Sequence, residues 1–365
     1  MRNFQIVRVS EYVTPAPGGR EVHVRELSRR QARGGHRVHL LFRAGGEPDW
    51  PFQSTRIATP RWAPGHRSHR VRTLAFLAES VAVVARNRRK VGLVHFHGDY
   101  LEASAAGAVR ALGIPTLLTL HGRLAPRVLR ALGYVYRLPS HVVAVSSPIA
   151  AQLESIGVPR SRITVQHSGV DEELFHPPER QPPAEPFRVL VASTLIPLKD
   201  HGSLIEAVRL VGVKGVAVEL ELAGAGPERG RLEKAASCAV RFHGQLARPE
   251  LAELMRSCHA AVLASVDTAH AGEGTPTFLM EAIACGLPFV ATDTGGIPEL
   301  AARSGAGLIV PQRRPDVLAG AIEKLATDRA EYVHRRRAAL AFGPTLSWNR
   351  VAERLEALSA DLARA

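Results

Sequence analysis

Residues 273–300 read EGTPTFLMEAIACGLPFVATDTGGIPEL. Glu273 and Glu281 stand eight residues apart across a Thr-Pro pair, in a chain whose apolar stretches otherwise avoid carboxylates. Thr275 is a good N-cap, and Pro276 suits the first helical position, where an N–H has no partner in any case. The pattern predicts Glu273 in a loop and Glu281 on the second turn of the helix that follows. Gly286 and Pro288 close this helix, PFVATD is a strand, and a Gly295-Gly296 loop runs on to Glu299. The first amides of a helix lack carbonyl partners and its macrodipole is positive there, so the two carboxylates would flank a natural seat for phosphate.

The same alternation of short β-branched runs with longer amphipathic segments fills the rest of the chain, as in parallel α/β sheets with crossover helices. Strands are predicted at FQIVRVS, RVHLLF, GLVHFHG, PTLLTLHG, HVVAVS and ITVQHSG, then at FRVLVAS, AVELELAG, VRFHG, AAVLAS, PFVATD and GLIVP. A helix over EVHVRELSRRQARGG carries Leu27 on its apolar face and stops at Gly34 and Gly35. Residues 181–186, QPPAEP, cannot continue a sheet and have the stiffness of a linker. The fold class is therefore α/β, with two doubly wound parallel-sheet domains in tandem, residues 1–180 and 187–343. Residues 344–365 form an amphipathic helix whose Trp348, Val351, Leu355 and Leu358 recur at helical spacing, expected to pack back on the first domain.

A length of 365 residues suits two such domains, each with its own core. No stretch approaches the roughly 18 uninterrupted apolar residues of a membrane span. The start, MRNFQIVRVSEYV, lacks the apolar core and small-residue cleavage site of a secretory signal, so a cytoplasmic location is expected. Cys238, Cys258 and Cys285 have no C-x-x-C spacing and point to neither a disulfide framework nor a zinc site. The net charge of +13 is carried by arginine and fits a phosphorylated small substrate or an anionic membrane face. Aromatic content of 5% and the absence of a recognition motif argue against nucleic acid.

Several strand ends carry candidate chemistry. PAPGGRE leads from a strand into a helix, and Gly18 and Gly19 would let backbone amides approach a phosphate, although a plain turn reads equally well. In VHFHGD, His95 and His97 are expected on opposite sides of their strand, which excludes joint chelation of a metal. His121, ending TLLTLHG, is better placed to meet a substrate. LELAGAGPERG invites a dinucleotide reading, but Gly224, Gly226 and Gly230 are spaced one residue too long for that fingerprint, leaving a dehydrogenase a weak competitor. STLIPLKD supplies Lys199 as a cation for a diphosphate.

Taken in order, GGREVHVRELSRRQARGGHRVHLL, VGLVHFHGD, TLLTLHG, VVAVSSPIAAQL, ITVQHSGVDEELFHP, LAGAGP, VRFHGQL, the E-x7-E segment with ACGLPFVATDTGGIPEL and the SW helix resemble the retaining glycosyltransferases of the GT-B fold, family GT4. The resemblance covers essentially the whole chain. It implies two Rossmann-like domains facing each other across a cleft, with a UDP- or GDP-sugar held mainly by the second and a hydroxyl acceptor approaching from the first. By the family pattern Glu281 accepts hydrogen bonds from the ribose hydroxyls and Glu273 holds a hydroxyl of the transferred sugar, bonds that charge strengthens. Lys199 and the amides of Gly18 and Gly19 would neutralise the departing diphosphate. Thr194, Gly274, Thr275, Thr277, Phe278 and Glu299 complete the implied donor contacts. His121 would support the oxocarbenium-like transition state by hydrogen bonding rather than as a nucleophile.

No D-x-D occurs, so hexosyl transfer without a metal or other cofactor is expected. Two departures stand out. Family members commonly place an arginine where this chain reads Ser193-Thr194-Leu195, and Pro276, at a position often glycine, removes one backbone donor to the sugar. A non-catalytic sugar-nucleotide-binding subunit and a sugar-nucleotide epimerase of the same fold are the alternatives. The acceptor could belong to glycan, glycolipid or secondary-metabolite biosynthesis. HRSHRVRTLAFLAESVAVVARNRRK, a basic-flanked amphipathic helix, could also touch an anionic membrane at Arg67, Arg70 and Arg72, although such helices more often pack on their own sheet.

Overall fold

The computed structural model describes residues 5–14, 19–46, 50–58, 68–122, 124, 126–267 and 276–364. The chain forms two compact units, Met1–Ser168 with Trp348–Ala365, and Gly169–Ser347.

In the first unit, β1 (Gln5–Tyr12), β2 (Arg37–Ala44), β3 (Gln53–Arg56), β4 (Val91–His97), β5 (Thr116–Leu120), β6 (His141–Ala144) and β7 (Ile163–Val165) form a parallel sheet in the order β3-β2-β1-β4-β5-β6-β7. The chain winds outward from β1 in one direction and from β4 in the other. A crevice therefore opens at the carboxyl ends between them, the place where open α/β sheets bind ligands. The helix Gly19–Arg33 buries Val24 and Leu27 and ends at Gly34 and Gly35, the latter at φ 89°, where a side chain would be strained. Strand β3 was not expected from the sequence. Its residues, QSTR, are mostly exposed and are held by backbone pairing to β2 at the sheet edge, so they show no apolar face.

The second unit repeats the plan with β8 (Phe187–Ala192), β9 (Val218–Ala223), β10 (Val240–Gly244), β11 (Ala260–Leu263), β12 (Phe289–Thr292) and β13 (Gly307–Val310), all parallel in the order β10-β9-β8-β11-β12-β13. Its switch point lies between β8 and β11. The glycines of LAGAGP act here as packing devices rather than a dinucleotide fingerprint. A Cβ on Gly224 would lie 2.0 Å from the Ser193 carbonyl oxygen, and one on Gly226 would lie 2.4 Å from that of Leu195. Leu195 N–H in turn donates to the Ala225 carbonyl at 3.0 Å, so the loops after β8 and β9 are laced together backbone to backbone.

The division between units differs from the expected linker. Residues 181–186 lie inside the second unit, which already begins at Gly169. The reason is packing: Val170 N–H donates to the Leu346 carbonyl at 2.7 Å, and Phe175 joins the second unit's core. The closing helix Trp348–Arg364 belongs to the first unit. Trp348, Val351, Ala352 and Leu355 form a buried cluster there with Ile6, Leu27, Leu93, Leu117 and Val143. Of the cysteines, Cys258 and Cys285 are buried, Cys238 is exposed, and all are free. Among the described residues no helix is long and apolar enough to cross a membrane.

Candidate functional site

In the second unit the loops leaving β8 and β11 meet at the switch point, where Val266 N–H donates to the Leu198 carbonyl at 2.9 Å. The first of these loops presents exposed Thr194 and then the short turn Pro197–Lys199, which places Lys199 just before the helix His201–Val213. Asp200 caps that helix in the left-handed region, φ 42°, accepting from the Ser203 hydroxyl at 2.7 Å. Ser193 Oγ lies 2.9 Å from His201 Nε2. No cation stands at residues 193–195, so the departure noted in the sequence is also a feature of the folded loop.

The loop after β11 leads to the helix Thr277–Ala284, one residue later than expected. Pro276, at φ −69° and ψ 119°, is extended and occupies the N-cap position itself. The amides of Thr277 and Phe278 thus open the helix without intrahelical partners. The Phe278 side chain packs into the core, so only its backbone can meet a ligand. Glu281 remains on the second turn, 6% exposed, and its Oε1 accepts from Arg248 Nη1 at 2.9 Å. Burial pushes the Glu281 pKa up, Arg248 opposes this, and Asp171 adds a smaller upward push. The Arg248 guanidinium lies 4.9 Å from the centroid of the Phe175 ring, which helps fix it over the carboxylate. Glu299 stands in the first turn of the helix Ile297–Ser304, 3.8 Å from Arg303. Gly18, Glu273, Gly274, Thr275 and Arg67 lie outside the described residues.

In the first unit His121 follows β5 directly and lines a cavity of about 180 Å³ with Arg20, Gly98, Asp99 and Gly122. Gly19 is the first residue of the helix that carries Arg20, at the same carboxyl edge of the sheet. Asp99 N–H donates to Glu102 Oε2 at 2.8 Å, and the Tyr136 hydroxyl donates to Asp99 Oδ1. A Cβ on Gly98 would lie 2.1 Å from the Glu102 side chain, so only glycine admits this cap.

His95 and His97 do not face opposite sides. Side chains alternate along a strand, so residues two apart share a face, and the two rings lie 4.2 Å apart centroid to centroid. They form a cluster with His23 and His121, in which His97 Nδ1 is 3.1 Å from His121 Nε2 and His23 meets the His121 ring edge-on at 4.9 Å. Arg8, fully buried, donates to Ser28 Oγ at 2.7 Å and Gln31 Oε1 at 2.6 Å and approaches His95 Nδ1 at 3.5 Å. No group of three or more potential metal ligands occurs among the described residues.

Burial, with Arg8 as a second cause, pushes His23 down to about 3. Burial is also the largest cause holding His95, His97 and His121 well below the usual imidazole range. The native rings therefore refuse protons that the unfolded chain binds below about pH 6.5, so stability is full above that pH and is lost on acidification. Each neutral histidine costs about 1 kcal/mol between pH 6.5 and 5.5, roughly 4 kcal/mol for the cluster. Burial raises the carboxyls of Glu102 and Glu281, and this acts in the opposite sense. Urea unfolding at pH 7.5 and 5.5 should show a markedly lower midpoint at the acid end; equal midpoints would contradict a neutral cluster.

Sequence reasoning missed Arg248, Arg20, His23 and Asp99. For Asp99 a signal existed, since D-x-x-E before an apolar run is a capping pattern. Arg248 gives none, being one arginine among many.

Two doubly wound parallel units, each with polar and charged groups gathered at its switch point, define the class as GT-B. Two family models match in succession: Glycosyltransferase Family 4 matches residues 17–174 and Glycosyl transferases group 1 matches residues 186–328. The chain belongs to this glycosyltransferase family. It is 28% identical over 219 residues to the amylovoran biosynthesis glycosyltransferase AmsK of Erwinia amylovora, a match covering 57% of this chain and 54% of the relative. It thus spans about half the length of that relative. Over 96% of this chain and 94% of the relative it is 27% identical to a GDP-mannose-dependent alpha-(1-6)-phosphatidylinositol dimannoside mannosyltransferase of Mycobacterium tuberculosis. In fold it resembles Anabaena HepE, solved in complex with UDP, at a TM-score of 0.79 and 20% identity over 98% of this chain and 100% of that one.

Proposed function

We propose that this chain transfers a hexosyl group from a UDP- or GDP-sugar to a hydroxyl acceptor in glycan, glycolipid or secondary-metabolite biosynthesis, with retention and without a metal. The observation that carries the reading is the buried Glu281 carboxylate, aimed by Arg248, on the second turn of a helix that opens at the switch point. A carboxylate there suits paired ribose hydroxyls. The amides of Thr277 and Phe278 and the Lys199 ammonium suit a diphosphate, with Glu273 and His121 assigned to the sugar. Named relatives act on GDP-mannose, and a structural neighbour was solved with UDP, which supports a nucleotide-linked donor without choosing the base. A cytoplasmic location with peripheral contact at an anionic membrane face belongs to the same proposal, with Arg70 and Arg72 as exposed or half-exposed cations.

The cation missing at Thr194 favours one second reading, a subunit that binds the donor without transferring from it. A thermal-shift panel with UDP, GDP, ADP, TDP and NAD, each with and without EDTA, tests both. A ligand at about 100 times its Kd adds about 2.7 kcal/mol to stability. A selective shift with UDP or GDP, unchanged by EDTA, is expected, together with nucleoside diphosphate release matched to product. Binding without release would select the second reading, and a shift with NAD alone would overturn both.

A further inference from the structure

We propose that His97 is a positioning residue that fixes the tautomer of His121 and so presents His121 Nδ1–H as a hydrogen-bond donor to the cavity of the first unit. The functional half of this inference rests on the glycosyl-transfer reading; the tautomer itself does not.

A neutral imidazole carries one hydrogen on two nitrogens. His97 Nδ1 and His121 Nε2 lie 3.1 Å apart, so one donates to the other. His97 Nε2 is buried with no partner. A hydrogen placed there would be an orphaned buried N–H, which is rarer and more costly than a bare lone pair. The hydrogen of His97 therefore sits on Nδ1 and is donated to His121 Nε2. His121, its Nε2 now an acceptor, must carry its own hydrogen on Nδ1. That atom is not among the buried unpartnered ones, and the residue lines the cavity that Arg20 and Asp99 also line, so a hydrogen on Nδ1 leaves no buried orphan.

The surroundings hold the arrangement. Arg8 donates toward His95 Nδ1 at 3.5 Å, which leaves His95 Nε2 to donate to Thr119 Oγ1 at 2.7 Å. A buried guanidinium beside the rings disfavours any further positive charge. The ring of His23, tied to Ser168 Oγ at 2.9 Å, stands at 83° to that of His121 and fixes its plane. In this tautomer and charge state His121 is a donor to a sugar or phosphate oxygen and has no lone pair facing the cavity with which to act as a base.

Long-range ¹H–¹⁵N spectra of the unliganded, ¹⁵N-histidine-labelled chain decide the point, with His121→Asn used for assignment. Nδ1–H on His121 is expected, with Nε2–H appearing in His97→Asp, whose carboxylate near the Nδ1 position can only accept. Asparagine places its amide where Nδ1 stood, whereas glutamine reaches the Nε2 position. His97→Asn should therefore keep most of kcat, while His97→Asp and His97→Gln lose about 100-fold at unchanged donor KM. Nε2–H on His121 in the unsubstituted chain overturns the proposal. Absence of Nε2–H from His121 in His97→Asp removes His97 from the role. Absence of transfer by the unsubstituted chain overturns the functional reading, while the spectra still decide the tautomer.

Discussion

Replacing Glu281 with glutamine should abolish the stabilisation by UDP or GDP and lower kcat/KM at least about 100-fold, a loss near 2.7 kcal/mol. Glutamine keeps the shape and removes the charge. Hydrogen bonds to a charged acceptor contribute about 1.5–3 kcal/mol each against about 0.5–1.5 for neutral ones, so losing that assistance at both ribose hydroxyls reaches this size. A second effect falls on the unliganded protein. Arg248 would keep its place over Phe175 but lose its counter-ion. Breaking a fully buried pair from one side costs about 3–5 kcal/mol. The Arg248 side chain is 30% exposed, so water should screen it and the stability loss should fall well below that figure. The two effects separate cleanly: the unfolding midpoint without ligand reports the pair, and the ligand-induced shift reports the site. A nucleotide shift that survives Glu281→Gln would remove this carboxylate from the donor site.

Replacing His121 with alanine should leave nucleotide binding intact and lower kcat by about 100- to 1,000-fold, the usual effect of deleting one donor aimed at developing charge. The split is expected because, Gly18 and Gly19 apart, the groups assigned to the nucleotide belong to the second unit, whereas His121 belongs to the first. Burial, His23 and Arg20 hold His121 well below the imidazole range. Its charge should therefore not change between about pH 6.5 and 8, and kcat should show no histidine step in that interval. Its ring also packs on His23 and His97, so the variant should be measurably less stable. His121→Asn retains a polar group and serves as the control for folding. Unchanged kcat in the alanine variant would place His121 among structural groups, and a fall confined to donor KM would assign it to binding.

Much of this was legible in the chain. Runs such as FRVLVAS and AAVLAS are mostly β-branched or apolar because parallel strands are covered on both faces, and each proved to contain a strand. Gly34-Gly35 ended a helix for a reason any sequence can state. The polar edge strand Gln53–Arg56 was illegible because pairing on one side alone asks nothing of its side chains. The boundary near residue 181 was misread because proline marks stiffness, not the end of a core; Phe175, upstream of it, already packs in the second unit.

The sequence by itself determined the alternation of elements, the two sheets, and the places of His121 directly after a strand, Lys199 in the turn that follows β8, and Glu281 on the helix that follows β11. These are local properties, encoded in period, caps and turns. Only the tertiary structure decided which groups meet. His97 reaches His121 across 24 residues, Glu281 meets Arg248 across 33, and Arg8 faces His95 across 87. Such pairs are fixed by the register of neighbouring parallel strands and the packing of crossover helices, which no local pattern records. They matter because a buried carboxylate or imidazole takes its charge and its hydrogen from whatever neighbour the fold supplies.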